Sequence, residues 1–130
     1  MTSILLDTHV LYWWSTTSDQ LSPAATQAVT ESAELAVSAI TWYELAWLAA
    51  RERITLATPI RSWLDKLAQQ VRTLGVTPAI AHTAASLPSS FPGDPADRLI
   101  YATAVEHGLS LVTKDQRLRR HRHPRPITVW

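Results

Sequence analysis

Three short apolar runs, I-L-L at 4–6, L-A-V-S at 35–38 and L-S-L-V-T at 109–113, recur along the chain with longer helix-patterned segments between them. Runs this short, set apart by helical stretches, are the pattern of buried parallel strands joined by crossover helices. The alternation predicts an α/β domain on a mostly parallel sheet. The elements read as a strand at 4–6, a short helix from Val10, and a helix at 22–32 with Ser22 as N-cap and Pro23 in its first position. A strand at 35–38, helices at 41–53 and 60–73, a third strand at 75–77 and a helix at 79–87 follow. Asp94-Pro95 opens a helix that Gly108 ends after His107; strands at 109–113 and 126–130 complete the chain. No linker, repeat or low-complexity tract divides the 130 residues, so one domain, 1–130, is expected.

Composition removes several classes. Apolar residues make up 46% and charged residues 18%, a globular rather than a disordered balance. There is no cysteine, so neither disulfides nor thiolate metal sites are available. The start M-T-S-I-L-L-D lacks a basic region and its apolar run is broken by Asp7, which argues against a secretory signal. No apolar stretch is long enough for a bilayer span. A cytoplasmic protein without membrane partners is expected.

Four acids stand where a core is expected. Asp7 ends the first apolar run, and Asp115 follows the apolar run at 111–113. Glu44 is the only charged residue in I-T-W-Y-E-L-A-W-L-A-A at 40–50. Asp97 opens D-R-L-I-Y-A-T-A-V, with Asp94 just before it. A carboxylate at the edge of a core is costly unless it is paired or binds a cation. Taken singly, Asp7 and Asp115 have ready roles as turn or cap residues, and Asp97 as the third helical residue of a capping box begun by Asp94. Glu44 has none, because a helix apolar all round is buried and the nearest basic candidates are Arg51 and Arg98. Parallel sheets bind ligands outside the carboxyl ends of their strands, where the strand order reverses. An order 3-2-1-4-5 brings all four acids to that edge. Hard divalent cations take such oxygen ligands, and in such pockets they serve phosphoryl chemistry.

Charge is unevenly spread. Residues 1–107 hold six Arg/Lys against ten Asp/Glu, whereas residues 108–130 hold six against one. The basic end, K-D-Q-R-L-R-R-H-R-H-P-R, is either a solvated tail or a phosphate-binding rim beside the acids. The rim reading names Arg117, Arg119, Arg120 and Arg122, with Arg125 beyond them.

At these residues the chain resembles the PIN-domain ribonucleases, and within them the toxins of VapBC-type toxin–antitoxin pairs. The segments that carry the resemblance are L-L-D-T-H-V-L-Y-W-W at 5–14, S-A-I-T-W-Y-E-L-A at 38–46, G-D-P-A-D-R-L-I-Y-A-T-A at 93–104 and L-V-T-K-D at 111–115. Each is weak alone; their order and spacing are specific. The resemblance implies a three-layer PIN-like fold with a five-stranded sheet of order 3-2-1-4-5. It also implies Mg²⁺- or Mn²⁺-dependent RNA cleavage, a cognate antitoxin and a homodimer. By position Asp7 and Asp97 look like the principal metal ligands, Glu44 like the third acid and Asp115 like the fourth. Thr8 and Thr113 look like hydroxyls that support those ligands. Asp94 reads as an N-cap with influence on the site.

Competing classes are a receiver-like signalling module and a PIN-like binding module without catalysis. The first would want an acid after the third strand, where the chain reads V-T-P-A-I-A-H. The second would want the acids lost. A dinucleotide enzyme is disfavoured, since only three glycines occur and no G-x-G-x-x-G is present. Six tryptophans suit either core packing or a groove for a partner helix or second copy.

Overall fold

In the computed structural model, residues 3–122 and 124–130 are described; the expectation for His123 in the basic end lies outside them. Five strands form one sheet of order β3-β2-β1-β4-β5: β1 Ile4–Leu6, β2 Leu35–Ser38, β3 Arg72–Leu74, β4 Ser110–Val112 and β5 Thr128–Val129. All four pairings are parallel. β1 and β2 are linked by α1 Thr8–Thr16, a 3₁₀ turn at Ser18–Gln20 and α2 Pro23–Glu31. Next come α3 Ala39–Ala50 and α4 Ile60–Ala68, then α5 Pro78–Ser86 and α6 Pro95–His107, and finally α7 Gln116–Arg119.

Alternation along β1 makes the layers. Ile4 and Leu6 point into one apolar cluster with Val10, Leu11, Leu45 and Leu67, while Leu5 points into another with Ile100, Tyr101, Leu111 and Leu118. Each fully buried leucine contributes on the order of 1.5–3 kcal/mol, so the central strands, buried on both faces, hold the sheet. Helix α6 lies deepest, burying Ile100 to Ala104 without a break. The result is the expected three-layer α/β fold with the expected strand order.

Local chemistry sets the ends. Ser22 Oγ accepts from the Ala25 amide at 3.0 Å with Pro23 in the first turn of α2. Asp94 caps α6 through the amides of Ala96 and Asp97. Gly108 closes α6 at φ +65°, the left-handed conformation that glycine adopts without penalty.

Several boundaries differ from expectation, among them the start of α1 at Thr8 rather than Val10 and the end of α3 at Ala50 rather than 53. The third strand is Arg72–Leu74, not 75–77: Thr77 instead caps α5 through the Ile80 amide, with Pro78 in its first turn. The helix expected over 60–73 therefore stops at Ala68. Helix α3 begins two residues earlier than expected, because the Ser38 hydroxyl accepts from the Ile40 amide.

Candidate active site

Asp7 and Asp115 leave the sheet at its carboxyl edge, one after β1 and one after β4. β1 and β4 are neighbours, with Leu6 opposite Val112, so the residues that follow them also come together. The Asp7 amide donates to the Val112 carbonyl at 3.0 Å. Asp7 is at once the N-cap of α1 and a site acid: its Oδ1 accepts from the Thr8 amide at 2.8 Å and its Oδ2 from the Thr113 hydroxyl at 2.6 Å.

Glu44 reaches the same edge from the second turn of α3. Among the described residues it has no basic partner; its Oε1 accepts from the Thr8 hydroxyl at 2.5 Å. Thr8 is also 3.1 Å from the buried Thr41 hydroxyl, so Thr41, Thr8 and Glu44 form a chain of hydrogen bonds. Arg51 lies over the Trp47 ring instead, and Arg98 donates to the carbonyls of Ala84, Leu87, Pro88, Phe91 and Pro92. Asp97 sits in the first turn of α6, yet its side chain turns to Arg117 rather than back to the cap.

Asp7, Glu44, Asp94, Asp97 and Asp115 all line one cavity of about 760 Å³. Its wall also carries Thr8, His9 and Lys114 and an apolar face that includes Trp13, Tyr43 and Trp47. Of the basic residues named from sequence, Arg117 lines this cavity, and Arg120 lines an adjoining recess with Phe91 and His121. Arg119 and Arg122 are in neither lining.

The electrostatics follow from crowding. Burial pushes the Asp7 carboxyl up, against the pull of its Thr113 and Thr8 hydrogen bonds. Burial also raises Glu44, with Asp7 and Asp94 adding to it. Asp97 is pushed up to about 7 by burial and by its neighbours Asp94 and Asp7, although Arg117 opposes the shift. Asp115 alone moves down, held by its Arg117 hydrogen bonds. Burial is the largest cause of all three raised carboxyls and neighbouring carboxylates add to it; a divalent cation at the cavity would favour their charged forms.

Among the described residues, no three His, Cys, Asp or Glu side chains are arranged to enclose an ion by themselves. Mg²⁺ does not require that: it keeps several waters and takes one or two carboxylates together with substrate phosphate. An all-oxygen donor set of clustered acids fits such an ion.

Sequence reasoning passed over Thr41 and Lys114. The signal for Thr41 was its spacing, three residues before Glu44 on an otherwise apolar helix. His9 is exposed beside the Trp13 ring, with centroids 5.7 Å apart. Trp14, Trp42, Trp63 and Trp130 pack on the core cluster, which leaves Trp13 and Trp47 to the cavity wall.

An acid-lined cavity at the carboxyl edge of a 3-2-1-4-5 sheet agrees with the match to the PIN domain over residues 4–124, and the chain belongs to that family. It is 68% identical to Ribonuclease VapC22 of Mycobacterium tuberculosis (strain ATCC 25618 / H37Rv), over the full length of both chains. Among solved structures it is similar in fold to VapBC2 from Rickettsia felis bound to a DNA fragment from its promoter. The TM-score is 0.69 at 15% identity, covering 98% of this chain and 97% of that one. A toxin–antitoxin complex from Klebsiella pneumoniae gives a TM-score of 0.66 at 23% identity, covering 87% of each chain.

Proposed function

We infer that this chain is a divalent-metal-dependent endoribonuclease and the toxin of a type II toxin–antitoxin pair, held in check by a cognate antitoxin. The observation that carries the chemistry is the gathering of five carboxylates, carried by four separate helices or their N-caps, into one cavity. The near-complete identity of length and the 68% identity with Ribonuclease VapC22 support RNA as substrate.

In this reading Asp7 and Asp97 hold Mg²⁺ or Mn²⁺, with Glu44 and Asp115 as further acids of the site. Bound there, such a cation polarises a phosphoryl oxygen and makes a water more nucleophilic at neutral pH. Thr113 and Thr8 aim the carboxylates of Asp7 and Glu44. Thr41 in turn orients Thr8. Asp94 contributes negative charge from the α6 cap. Arg117 and Arg120, with Arg119 and Arg122 further along, give the strand phosphates a basic side. Arginine's planar fork matches phosphate geometry, so these residues offset the repulsion between an acidic cavity and a polyanion. The antitoxin and a second copy of the chain are the protein partners this reading names, with exposed Tyr43 as a candidate anchor. No helix among the described residues is long and apolar enough to cross a membrane, and a cytoplasmic site of action suits an RNA substrate.

The test is induced expression with sequencing of cellular RNA ends, beside an Asp97→Asn control. Growth arrest with new, recurrent RNA ends only in the unsubstituted chain supports the reading. Identical end patterns in both overturn it.

A further inference from the structure

Arg117 occupies an unusual position for an exposed arginine. Its Nε and Nη2 form a fork on Asp115, at 3.1 Å to Oδ1 and 2.7 Å to Oδ2. The same Nη2 reaches Asp97 Oδ2 at 3.2 Å. One nitrogen is thus shared by two carboxylates that come from different helices, one of them twenty residues before Arg117 and the other two residues before it. The placement is built in from the sequence. Asp115 caps α7 by accepting from the Arg117 amide at 2.8 Å, so the residue that anchors the backbone of Arg117 also receives its side chain.

Charge, not packing, keeps the guanidinium there, because 59% of its side chain is exposed. A side chain held this way exchanges partners readily. Space for the exchange adjoins it: Arg117 also lines the recess of about 320 Å³ that contains Ser90, Phe91, Arg120 and His121. Among the described residues, five acids line the main cavity against Lys114 and Arg117, so one guanidinium leaves most of the negative charge unmatched.

We propose that Arg117 is a built-in competitor for the divalent cation: it bridges Asp97 and Asp115 until a cation binds, and must release Asp97 for the cation to be held. Arg117 then sets the metal affinity of the site as a positioning residue. The proposal rests on the metal-nuclease reading and goes beyond it.

The experiment is calorimetric titration of MgCl₂ into the full chain without RNA, for the unsubstituted protein and for Arg117→Gln, Arg117→Lys and Arg120→Gln. Arg120→Gln removes the same charge from the same basic segment but no hydrogen bond to a site acid. A unit charge a few ångströms from a cation repels it appreciably even in a partly exposed setting. The expected result is ~10-fold tighter Mg²⁺ binding for Arg117→Gln, which corresponds to about 1.4 kcal/mol. Arg117→Lys keeps the charge without the fork and falls in between; it gives a second reading should the Gln variant fold poorly. Arg120→Gln shifts affinity by less than about twofold, because more distant exposed charges are screened. Equal affinities for Arg117→Gln and Arg120→Gln, with Mg²⁺ still bound by the unsubstituted chain, overturn the competition and leave the nuclease reading standing. Absence of Mg²⁺ binding in every protein also overturns the competition, and Mg²⁺-dependent cleavage measured separately with RNA present decides the nuclease reading.

Discussion

Thr113 donates its hydroxyl proton to Asp7 Oδ2 at 2.6 Å, linking the ends of two neighbouring parallel strands that lie 106 residues apart. Thr113 Oγ1 also accepts from the Asp115 amide at 3.0 Å, so one buried hydroxyl orders two site acids. Replacing it with valine removes the bond that most opposes the upward push of burial on Asp7. Thr113→Val is expected to weaken Mg²⁺ binding by about 10- to 100-fold, the usual loss for a group that orients a ligand. The acid limb of the cleavage–pH profile should move to higher pH. A profile that does not move would remove Thr113 from the site.

Asp97 makes stability depend on pH with a definite sign. Its carboxyl is raised to about 7 in the fold, against about 3.9 in an unfolded chain. Between those values the folded state holds more protons than the unfolded state, so stability falls as pH rises through that window. Asp97→Asn removes the Asp97 share of the dependence and leaves that of Asp7 and Glu44, whose carboxyls are also raised. Without metal, the variant should melt above the unsubstituted chain at pH 8, with the difference shrinking towards pH 4. A variant that melts lower at pH 8 would show that Asp97 has a favourable structural partner.

Glu44 tests whether the buried acid serves the site or the fold. It accepts from the Thr8 hydroxyl, and burial pushes its carboxyl up. Glu44→Gln keeps an acceptor for Thr8 and should leave stability within about 1 kcal/mol, as for a neutral isostere of a half-buried acid. Cleavage should fall by about 10-fold or more, the lower end of the loss in Mg²⁺ affinity expected for Thr113→Val. Glu44→Leu should also fold. Urea denaturation beside single-turnover cleavage measures both, and an unfolded Glu44→Leu would make the residue structural.

The opposite behaviour is expected of Arg98. It donates to five backbone carbonyls that shape the loop before α6, and none of its partners is a site acid. Arg98→Ala leaves several part-buried carbonyls without donors, and the loss should be about 3 kcal/mol or more. Thermal denaturation reads this loss directly. Mg²⁺ affinity measured well below the melting temperature should be retained.

Much of the fold was legible because local signals agreed with each other. The runs at 4–6 and 35–38 are short, apolar and buried, and the Ser22-Pro23 helix start and the stretch from Asp94 to Gly108 carry the right caps. The third strand was misplaced because G-V-T carries a β-like pattern while its threonine is a helix cap. What fixes β3 is burial of Leu74 beside β2, a tertiary contact. Helix α7 is four residues long and too short for periodicity to show. The acids were legible as charges set in apolar sequence. The grip of Arg117 on Asp97 was not, because it depends on α6 and α7 meeting in space.

The most direct measurement of the central claim follows cleavage of purified total RNA by purified protein across a Mg²⁺ titration, with Asp97→Asn alongside and the product termini analysed. The account predicts cleavage that saturates with Mg²⁺, stops with chelator and returns when Mn²⁺ is added. It also predicts termini free of 2′,3′-cyclic phosphate, because water rather than the ribose hydroxyl attacks the phosphorus. Undiminished cleavage by Asp97→Asn, or cleavage that persists in chelator and leaves cyclic phosphate ends, would contradict it.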